Sequence, residues 1–366
     1  MKIGIISSYA FIKNNNNYGA LLQYFALQTY LKKMGHESYW IRTIISRNTP
    51  LNLLRKLYHL KSLRLFANWI RVHCGFMEFV QKYLNVTDSE YLGFNEIQQN
   101  PPSADVYVTG SDQVWGSEKL KENYLLFAPQ NCKKIAFAAS FGKDSISDDM
   151  AHAIKPWLDD FYAISVRESS GVDICKRMGI TAEHLIDPTF LIDAFDYPSS
   201  LERRFGKTYI YCYFLNVSSR ESVRYEELKD FAKKNGLDLR ICAVQGSEKL
   251  FEKKYLVFPT PEEWLTDYRH AEYIVTNTFH GTVFALINHK SFASILQKGA
   301  TSKQNSRLFS LLETFSMQNH LYKDTDDVSI VLNQTINWSK FEAIKKKYIV
   351  KSNDYFNRYT LEELPQ

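Results

Sequence analysis

The sequence predicts an α/β protein built from two Rossmann-like domains with a cleft between them. Three observations support this prediction. Short apolar segments of strand length alternate with helical segments through the first half of the chain, which is typical of a parallel sheet covered by helices on both faces. The same alternation repeats in the second half, after a polar stretch that follows Asp187-Pro188. A length of 366 residues also fits two to three domains of ~150 residues each.

The first predicted domain, residues 1–190, begins with the strand KIGIIS at 2–7, and a helix at 18–34 then ends at Gly35. Glycine is common directly after a helix because it adopts the left-handed conformation without strain. A basic helical insertion is expected at about 50–85. The other strands of this domain are predicted at 37–42, 104–110, 133–140, 162–167 and 183–187.

The second predicted domain, residues 191–340, carries a charged amphipathic helix at 220–235. Another helix begins after Thr260, with Pro261 at its first position and acidic residues in its first turn, as is typical of helix N-termini. The last segment, 341–366, is expected to form a helix that packs back on the first domain. The strands of the second domain are predicted at 207–215, 237–244, 254–258, 271–277 and 290–295.

Composition and missing motifs exclude several classes of protein. Hydrophobic residues make up 45% and charged residues 23% of the chain, as in ordinary globular proteins, and no apolar run approaches the ~20 residues of a membrane span. The five cysteines form no CxxC pair, which argues against a disulfide framework or a zinc ribbon. A net charge of +5 is too small to indicate a nucleic-acid-binding protein. We therefore expect a cytoplasmic protein, and no metal or cofactor is predicted.

Known nucleotide and hydrolase motifs are also missing. The chain has no GxGxxG after its first strand, no GxxxxGK[ST], no HExxH and no GxSxG. The sequence therefore argues against four classes of enzyme: dinucleotide-dependent dehydrogenases, P-loop ATPases, zinc proteases and α/β-hydrolases.

Polar loops follow several predicted strands, and ligands of such sheets bind at the carboxyl ends of strands. In NNNNYGALLQ at 14–23, Asn17 begins a helix and Gly19 allows close backbone approach. In VTGSDQVWG at 108–116, the residues that favour a binding loop over an ordinary capped turn are Ser111, Asp112, Gln113 and Trp115. Trp115 would supply a flat face for stacking.

Four further residues could carry charge into the cleft. Arg167 ends a predicted strand, and its planar guanidinium can bind a carboxylate or a phosphate with two hydrogen bonds; a surface ion pair is the alternative. His280 begins a helix and is followed by Gly281, where helix N-terminal amides attract anions and the imidazole can transfer a proton. Lys303 and Arg307 follow the last strand and could close over an anion or remain solvated.

These motifs resemble the polysaccharide pyruvyl transferase family. The resemblance runs from about residue 1 to about residue 310 and depends most on GSDQVW, the arginine motif SVRE and FHG. It implies a fold similar to that of GT-B glycosyltransferases. It also implies transfer of a pyruvyl group from phosphoenolpyruvate to two hydroxyls of a sugar, which forms a ketal and releases phosphate.

The resemblance implies roles for individual residues. His280 is expected to transfer a proton and Asp112 to act as a base or to orient a hydroxyl. The residues expected to bind the donor are Arg167, Thr278, Gly281, Lys303 and Arg307. The residues expected to bind the acceptor are Asn17, Gly19, Ser111, Gln113 and Trp115. Some members carry an arginine at the position of Thr278, so Lys303 or Arg307 would have to supply that positive charge here.

Two other functions remain open at this stage. A GT-B nucleotide-sugar glycosyltransferase would share the fold, although the chain lacks a Gly-rich pyrophosphate turn, and a non-catalytic sugar- or phosphate-binding protein is the other alternative. Residues 38–77 contain no acidic residue and several basic ones, which is typical of helices that lie on anionic membranes. The acceptor is then expected to be a lipid-linked oligosaccharide at the inner face of the cell membrane. An insertion that packs on its own domain explains the same pattern.

Overall fold

The computed structural model describes residues 1–8, 17–44, 63–244, 246–323 and 325–361. The elements of the first domain are β1 (Lys2–Ile6), α1 (Tyr18–Lys33), β2 (Glu37–Trp40), β3 (Thr43–Ile44), α2 (Leu63–Tyr83), β4 (Tyr91–Leu92), α3 (Gly93–Gln99), β5 (Val106–Thr109), β6 (Lys133–Ala139), α4 (Asp148–Leu158), β7 (Ala163–Val166), α5 (Ser169–Arg177) and β8 (Glu183–His184). Six strands form a parallel sheet in the order β2-β1-β5-β6-β7-β8.

The second domain repeats this architecture with a five-stranded parallel sheet. Its elements are β9 (Tyr209–Leu215), α6 (Tyr225–Lys234), β10 (Asp238–Val244), α7 (Pro261–His270), β11 (Tyr273–Thr276), α8 (Phe279–Ile287), β12 (Ser291–Ile295), α9 (Ser306–Thr314), β13 (Leu321–Tyr322), α10 (Val328–Leu332) and α11 (Trp338–Leu361). The strand order is β10-β9-β11-β12-β13. Two parallel sheets with helices between their strands confirm the predicted fold class.

One predicted strand of the second domain does not form, and one predicted helix begins later than expected. Residues 254–258 do not form a strand, and only an isolated bridge joins Leu256 to Ile241. The helix predicted from residue 220 begins at Tyr225, because Arg224 has a φ of +52°, a left-handed conformation that cannot continue a right-handed helix. Both differences lie outside the sheet positions that form the cleft.

The long last helix crosses from the second domain back to the first. Phe356 of α11 stacks on Phe137 of β6 with ring centroids 4.6 Å apart. The Tyr355 hydroxyl donates a 2.8 Å hydrogen bond to the Ala136 carbonyl oxygen. The apolar side of α11 thus covers the sheet of the first domain.

Helices α1, α2 and α7 connect the two domains through one aromatic cluster. Tyr18 stacks on Trp264 with ring centroids 5.1 Å apart, and Phe76 of α2 packs on the other side of Tyr18 at 5.0 Å. The Tyr18 hydroxyl donates a 2.7 Å hydrogen bond to the Pro259 carbonyl oxygen. These contacts hold the carboxyl ends of both sheets close together.

The predicted basic insertion is described only in part, because residues 45–62 lie outside the described ranges. Within α2, the residues Val72, Phe76 and Phe79 are buried against the protein. At the start of the same helix Leu63 is 77% exposed. In the described part of the chain, no helix combines the length and the apolar character that a bilayer crossing requires.

Candidate active site

A cavity of about 310 Å³ lies where the carboxyl ends of the two sheets face each other. Both domains contribute to its walls, through the loops that follow β1, β5, β9, β11 and β12. Its lining residues are Ser8, Asn17, Asp112, Gln113, Tyr213, Leu215, Asn216, Thr278, Phe279, His280, Gln297, Gln304 and Arg307. The cavity is therefore the place where the polar loops predicted from the sequence meet.

His280 reaches this cavity from the first turn of α8. Thr278 is the N-cap of that helix, and its hydroxyl accepts a 2.9 Å hydrogen bond from the Gly281 amide. The imidazole lies directly on Gly19 of α1, so that a Cβ atom at position 19 would overlap the ring and lie 2.5 Å from His280 Cβ. Gly19 thus provides the space that lets a histidine of the second domain reach the first.

Asp187 lies behind His280 and is fully buried. Its Oδ2 lies 3.5 Å from His280 Nε2 and accepts hydrogen bonds from Ser111 Oγ at 2.8 Å and from Arg167 Nη1 at 2.7 Å. The Thr189 amide and hydroxyl donate to its Oδ1 at 3.0 and 2.7 Å. Burial by itself would raise the pKa of Asp187, but His280, Arg167 and these hydrogen bonds lower it well below the usual value. Asp187 is therefore an ionised carboxylate.

Arg167 does not line the cavity, which corrects its predicted direct contact with the donor. Its side chain is fully buried. Nε donates to Glu168 at 2.8 Å, Nη1 donates to Asp187 and to Ser111 Oγ, and Nη2 lies 3.5 Å from Asp112 Oδ1. The guanidinium also covers the Phe279 ring at 4.2 Å. Carboxylates on three sides neutralise this charge, so that Arg167 holds the acidic groups of the site in position.

Asp112 presents its carboxylate at the cavity from a strained backbone. Its φ is +83°, a conformation that costs of the order of 1 kcal/mol or more for a residue with a side chain. Burial would raise the pKa of Asp112, but the positive charges of Arg167, His280 and Arg307 outweigh burial and lower it. A carboxylate with a lowered pKa is a weak base. Asp112 is therefore an ionised carboxylate at the cavity.

Arg307 lines the cavity from the first turn of α9 and is 8% exposed. With its amide oxygen turned towards Arg307, Gln113 accepts hydrogen bonds from Nη1 at 2.6 Å and from Nη2 at 2.8 Å. Gln304 Oε1 also accepts from Nη2, at 2.9 Å. Among the described residues, no carboxylate lies within 4.0 Å of the guanidinium nitrogens. Burial, together with repulsion from Arg167, lowers the pKa of Arg307 to about 10, so that it stays positively charged at neutral pH.

Several predicted site residues lie away from the cavity, which corrects their predicted contacts with substrate. Trp115 is fully buried; its ring packs against Tyr124 and Phe141, and its indole nitrogen donates to the Asn123 carbonyl. It has no free face for a sugar.

Ser111 and Gly281 are also behind the cavity wall. The Ser111 hydroxyl supports Asp187, and its carbonyl oxygen accepts a hydrogen bond from Ser7 Oγ. A Cβ at Gly281 would lie 2.5 Å from Thr278 Oγ1, so this glycine serves close packing. Asn17 lines the cavity and caps α1 by accepting from the Ala20 amide at 3.2 Å. The side chain of Lys303 lies outside the described part of the structure.

Sequence reasoning missed several residues of the site, among them Asp187, Tyr213 and Gln297. Asp187 follows a strand and precedes Pro188, so its position at a strand end was a usable signal. Tyr213 and Gln297 gave no signal, since one lies inside an apolar strand and the other in an unremarkable loop. Both line the cavity, and the Tyr213 hydroxyl and Gln297 Oε1 are buried without a hydrogen-bond partner among the described residues.

Comparisons with known proteins agree with this architecture. The UDP-GlcNAc 2-epimerase of Methanocaldococcus jannaschii, in complex with UDP-GlcNAc and UDP, is similar over 97% of this chain and 100% of its own, with a TM-score of 0.53 and 13% identity. S. aureus MnaA, determined with UDP, is similar over 100% of this chain and 99% of its own, with a TM-score of 0.52 and 9% identity. At these identities the likeness concerns the fold alone.

The sequence itself matches no curated protein. It does match the family model described as polysaccharide pyruvyl transferase, over residues 17–298. This range is more than half of the chain and contains the strands β2 to β12, together with Asp112, Asp187 and His280. The chain therefore belongs to the polysaccharide pyruvyl transferase family.

Proposed function

We propose that this protein transfers the pyruvyl group of phosphoenolpyruvate onto two hydroxyls of a sugar in a cell-surface polysaccharide precursor, forming a cyclic pyruvate ketal and releasing phosphate. The observation that carries the proposal is the buried charge of Arg307, which lines the cavity without a carboxylate within 4.0 Å among the described residues. Asp112 and Glu168 attract this charge only from beyond that distance, and a buried charge without a close counter-charge is costly. An anionic substrate would neutralise it.

Phosphoenolpyruvate matches this charge distribution. Its carboxylate and its phosphate can each accept two hydrogen bonds from a guanidinium. Arg307 can donate these hydrogen bonds once the Gln113 amide oxygen, which accepts them in this structure, moves aside. The first turn of α8, with Phe279 and His280 at the cavity, adds the favourable end of a helix dipole for an anion. Arg307 thereby provides the donor charge that Thr278 lacks, and phosphoenolpyruvate is the donor substrate without any further cofactor.

His280 and Asp112 have different roles in the proposed reaction, since one donates a proton and the other stabilises positive charge. Protonation of the methylene carbon of phosphoenolpyruvate by His280 creates positive charge at the adjacent carbon, and the ionised Asp112 stabilises that charge. The first sugar hydroxyl attacks this carbon. The second hydroxyl then displaces phosphate and closes the ketal. Of the two hydroxyl protons released, one replaces the proton given to the methyl group and the other leaves with phosphate.

The acceptor side of the cavity is rich in amides. Amide side chains both donate and accept hydrogen bonds, as sugar hydroxyls require. Those that line the cavity are Asn17, Gln113, Asn216, Gln297 and Gln304. We place the reaction in the cytoplasm, on a lipid-linked oligosaccharide, with the exposed start of α2 near the anionic inner face of the membrane. Failure of the protein to float with anionic liposomes would contradict this membrane contact.

A thermal-shift titration tests the donor assignment. Wild-type protein, Arg307→Gln and the control Arg240→Gln are titrated with phosphoenolpyruvate, inorganic phosphate, UDP and UDP-sugars. Arg240 lies on β10 and pairs with Asp238 at 2.7 Å, away from the cavity lining. A ligand at ~100 times its Kd stabilises the folded state by ~2.7 kcal/mol, and hydrogen bonds to a charged group contribute ~1.5–3 kcal/mol. We therefore expect Arg307→Gln to weaken phosphoenolpyruvate binding at least about tenfold.

Each outcome of the titration has a definite meaning. A shift with phosphoenolpyruvate that Arg240→Gln retains and Arg307→Gln loses supports the proposal. A shift with UDP alone overturns it in favour of a nucleotide-sugar glycosyltransferase. A shift with phosphate equal to that with phosphoenolpyruvate supports a phosphate-binding protein instead.

A further inference from the structure

We propose that Asp187 is a positioning residue, which holds His280 with its proton on Nε2 and so leaves Nδ1 as the nitrogen that exchanges a proton with the substrate. The proposal rests on the proposed function, in which His280 acts on phosphoenolpyruvate. It adds a residue that lies outside the cavity lining and a choice between the two ring nitrogens of the histidine.

The first argument is the surroundings of His280 Nε2. This nitrogen is buried and has no hydrogen-bond partner among the described residues, while Asp187 Oδ2 lies 3.5 Å away. A carboxylate can only accept, so a ring nitrogen that faces it carries the proton. The carboxylate cannot turn away, because Ser111, Arg167 and Thr189 all donate to it.

The second argument is the position of Nδ1. The ring edge with Cγ and Nδ1 lies on Gly19, where any side chain would overlap it. His280 lines the cavity, and of its two ring nitrogens Nε2 is the one that is buried without a partner among the described residues. One ring nitrogen therefore faces a fixed carboxylate, and Nδ1 is the nitrogen left for the cavity.

The charged groups near His280 in the described chain are two carboxylates and two arginines. They are the carboxylates of Asp187 and Asp112, with Arg167 and Arg307 beside those carboxylates. Asp187 is the nearer of the two to the imidazole. Replacement of Asp187 by a neutral residue that can also donate a hydrogen bond should therefore remove the preference for a proton on Nε2.

Nitrogen NMR of protein labelled with ¹⁵N-histidine tests the proposal without any assay of activity. The signals of His280 are identified by their loss in His280→Gln. In wild-type protein at a pH where the ring is neutral, we expect a protonated Nε2 and an unprotonated Nδ1. A dominant Nδ1–H form overturns the proposal, whatever the variants do.

Asp187→Asn provides the second readout, with Asp196→Asn as the matched control, since Asp196 pairs with Lys33 on the surface. We expect the Nε2–H form of His280 to lose its dominance in Asp187→Asn and to persist in Asp196→Asn. An unchanged Nε2–H form in a folded Asp187→Asn protein overturns the proposal. If Asp187→Asn does not fold, the wild-type tautomer remains decisive.

Addition of phosphoenolpyruvate separates this proposal from the proposed function. A larger change at Nδ1 than at Nε2 supports both, and a larger change at Nε2 overturns the choice of nitrogen. A protonated Nε2 in a protein that does not respond to phosphoenolpyruvate supports the role of Asp187 as a positioning residue and contradicts the proposed donor.

Discussion

Replacement of Gly19 by alanine tests how the two domains meet at the cavity. Gly19 is the second residue of α1, and alanine is favoured over glycine in a helix by up to about 1 kcal/mol. If only helix propensity mattered, Gly19→Ala would stabilise the protein. The structure predicts the opposite, because the new Cβ would overlap the imidazole of His280.

The size of the effect follows from the geometry. The new Cβ would lie 2.5 Å from His280 Cβ and closer still to Cγ and Nδ1, whereas carbon atoms pack best at ~3.5–4.0 Å. His280 or the start of α1 must therefore move by about 1 Å. Overpacking of a buried contact typically costs ~1–3 kcal/mol. We expect Gly19→Ala to lower the free energy of unfolding by about this amount.

Urea unfolding, followed by circular dichroism, measures the effect in two backgrounds. In His280→Gly the three atoms that contact the new Cβ are gone, so Gly19→Ala should there be neutral or slightly stabilising. The difference between the two backgrounds is the coupling energy. Gly206→Ala is the matched control, since a Cβ at Gly206 meets nothing within 4 Å. Equal effects of Gly19→Ala in both backgrounds would refute the contact between Gly19 and His280.

Three further predictions concern the supports of the site. Thr278→Val removes the acceptor for the Gly281 amide and should cost about 1 kcal/mol in urea unfolding, whereas Thr278→Ser should cost much less. Trp115→Ala should lower the unfolding free energy by ~3–5 kcal/mol, as for other buried aromatics. At a temperature where this variant is folded, its affinity for phosphoenolpyruvate should stay within about threefold of the wild-type value. A larger loss of affinity would show that Trp115 contacts the ligand. Because the pKa of Asp187 is lowered in the folded protein, the unfolded state binds more protons below about pH 4, and stability therefore decreases as the pH decreases. Unfolding midpoints measured between pH 5 and pH 2 should decline less steeply in Asp187→Asn than in wild-type protein. An unchanged slope would contradict the lowered pKa.

Much of the fold was predictable because its signals are local. The strand KKIAFAA is buried at every position, and the continuous apolar run IAFAA within it is typical of a parallel strand covered on both faces. The capping box of Thr260 and Glu263 begins α7 where the sequence predicted a helix. The segment 254–258 was predicted wrongly as a strand: it lies beside the edge strand β10 but pairs with it only through the isolated bridge between Leu256 and Ile241.

The site was predictable only at the level of loops. Asp112 and His280 both follow strands, and parallel strands bring their carboxyl ends to one edge. Which side chain of a loop enters the cavity depends on backbone dihedral angles, such as the φ of +83° at Asp112. That turn sends Trp115 into the core, although its sequence neighbours suggested a stacking face.

The sequence by itself determined the two-domain architecture, the family and the loops that form the site, since apolar periodicity and motif order are properties of the linear chain. Only the tertiary structure decided what each charge does. Arg167 and Arg307 have the same side chain, but Arg167 lies among three carboxylates and Arg307 has none within 4.0 Å in the described chain. Charge compensation depends on distances between residues far apart in sequence, and folding alone sets those distances.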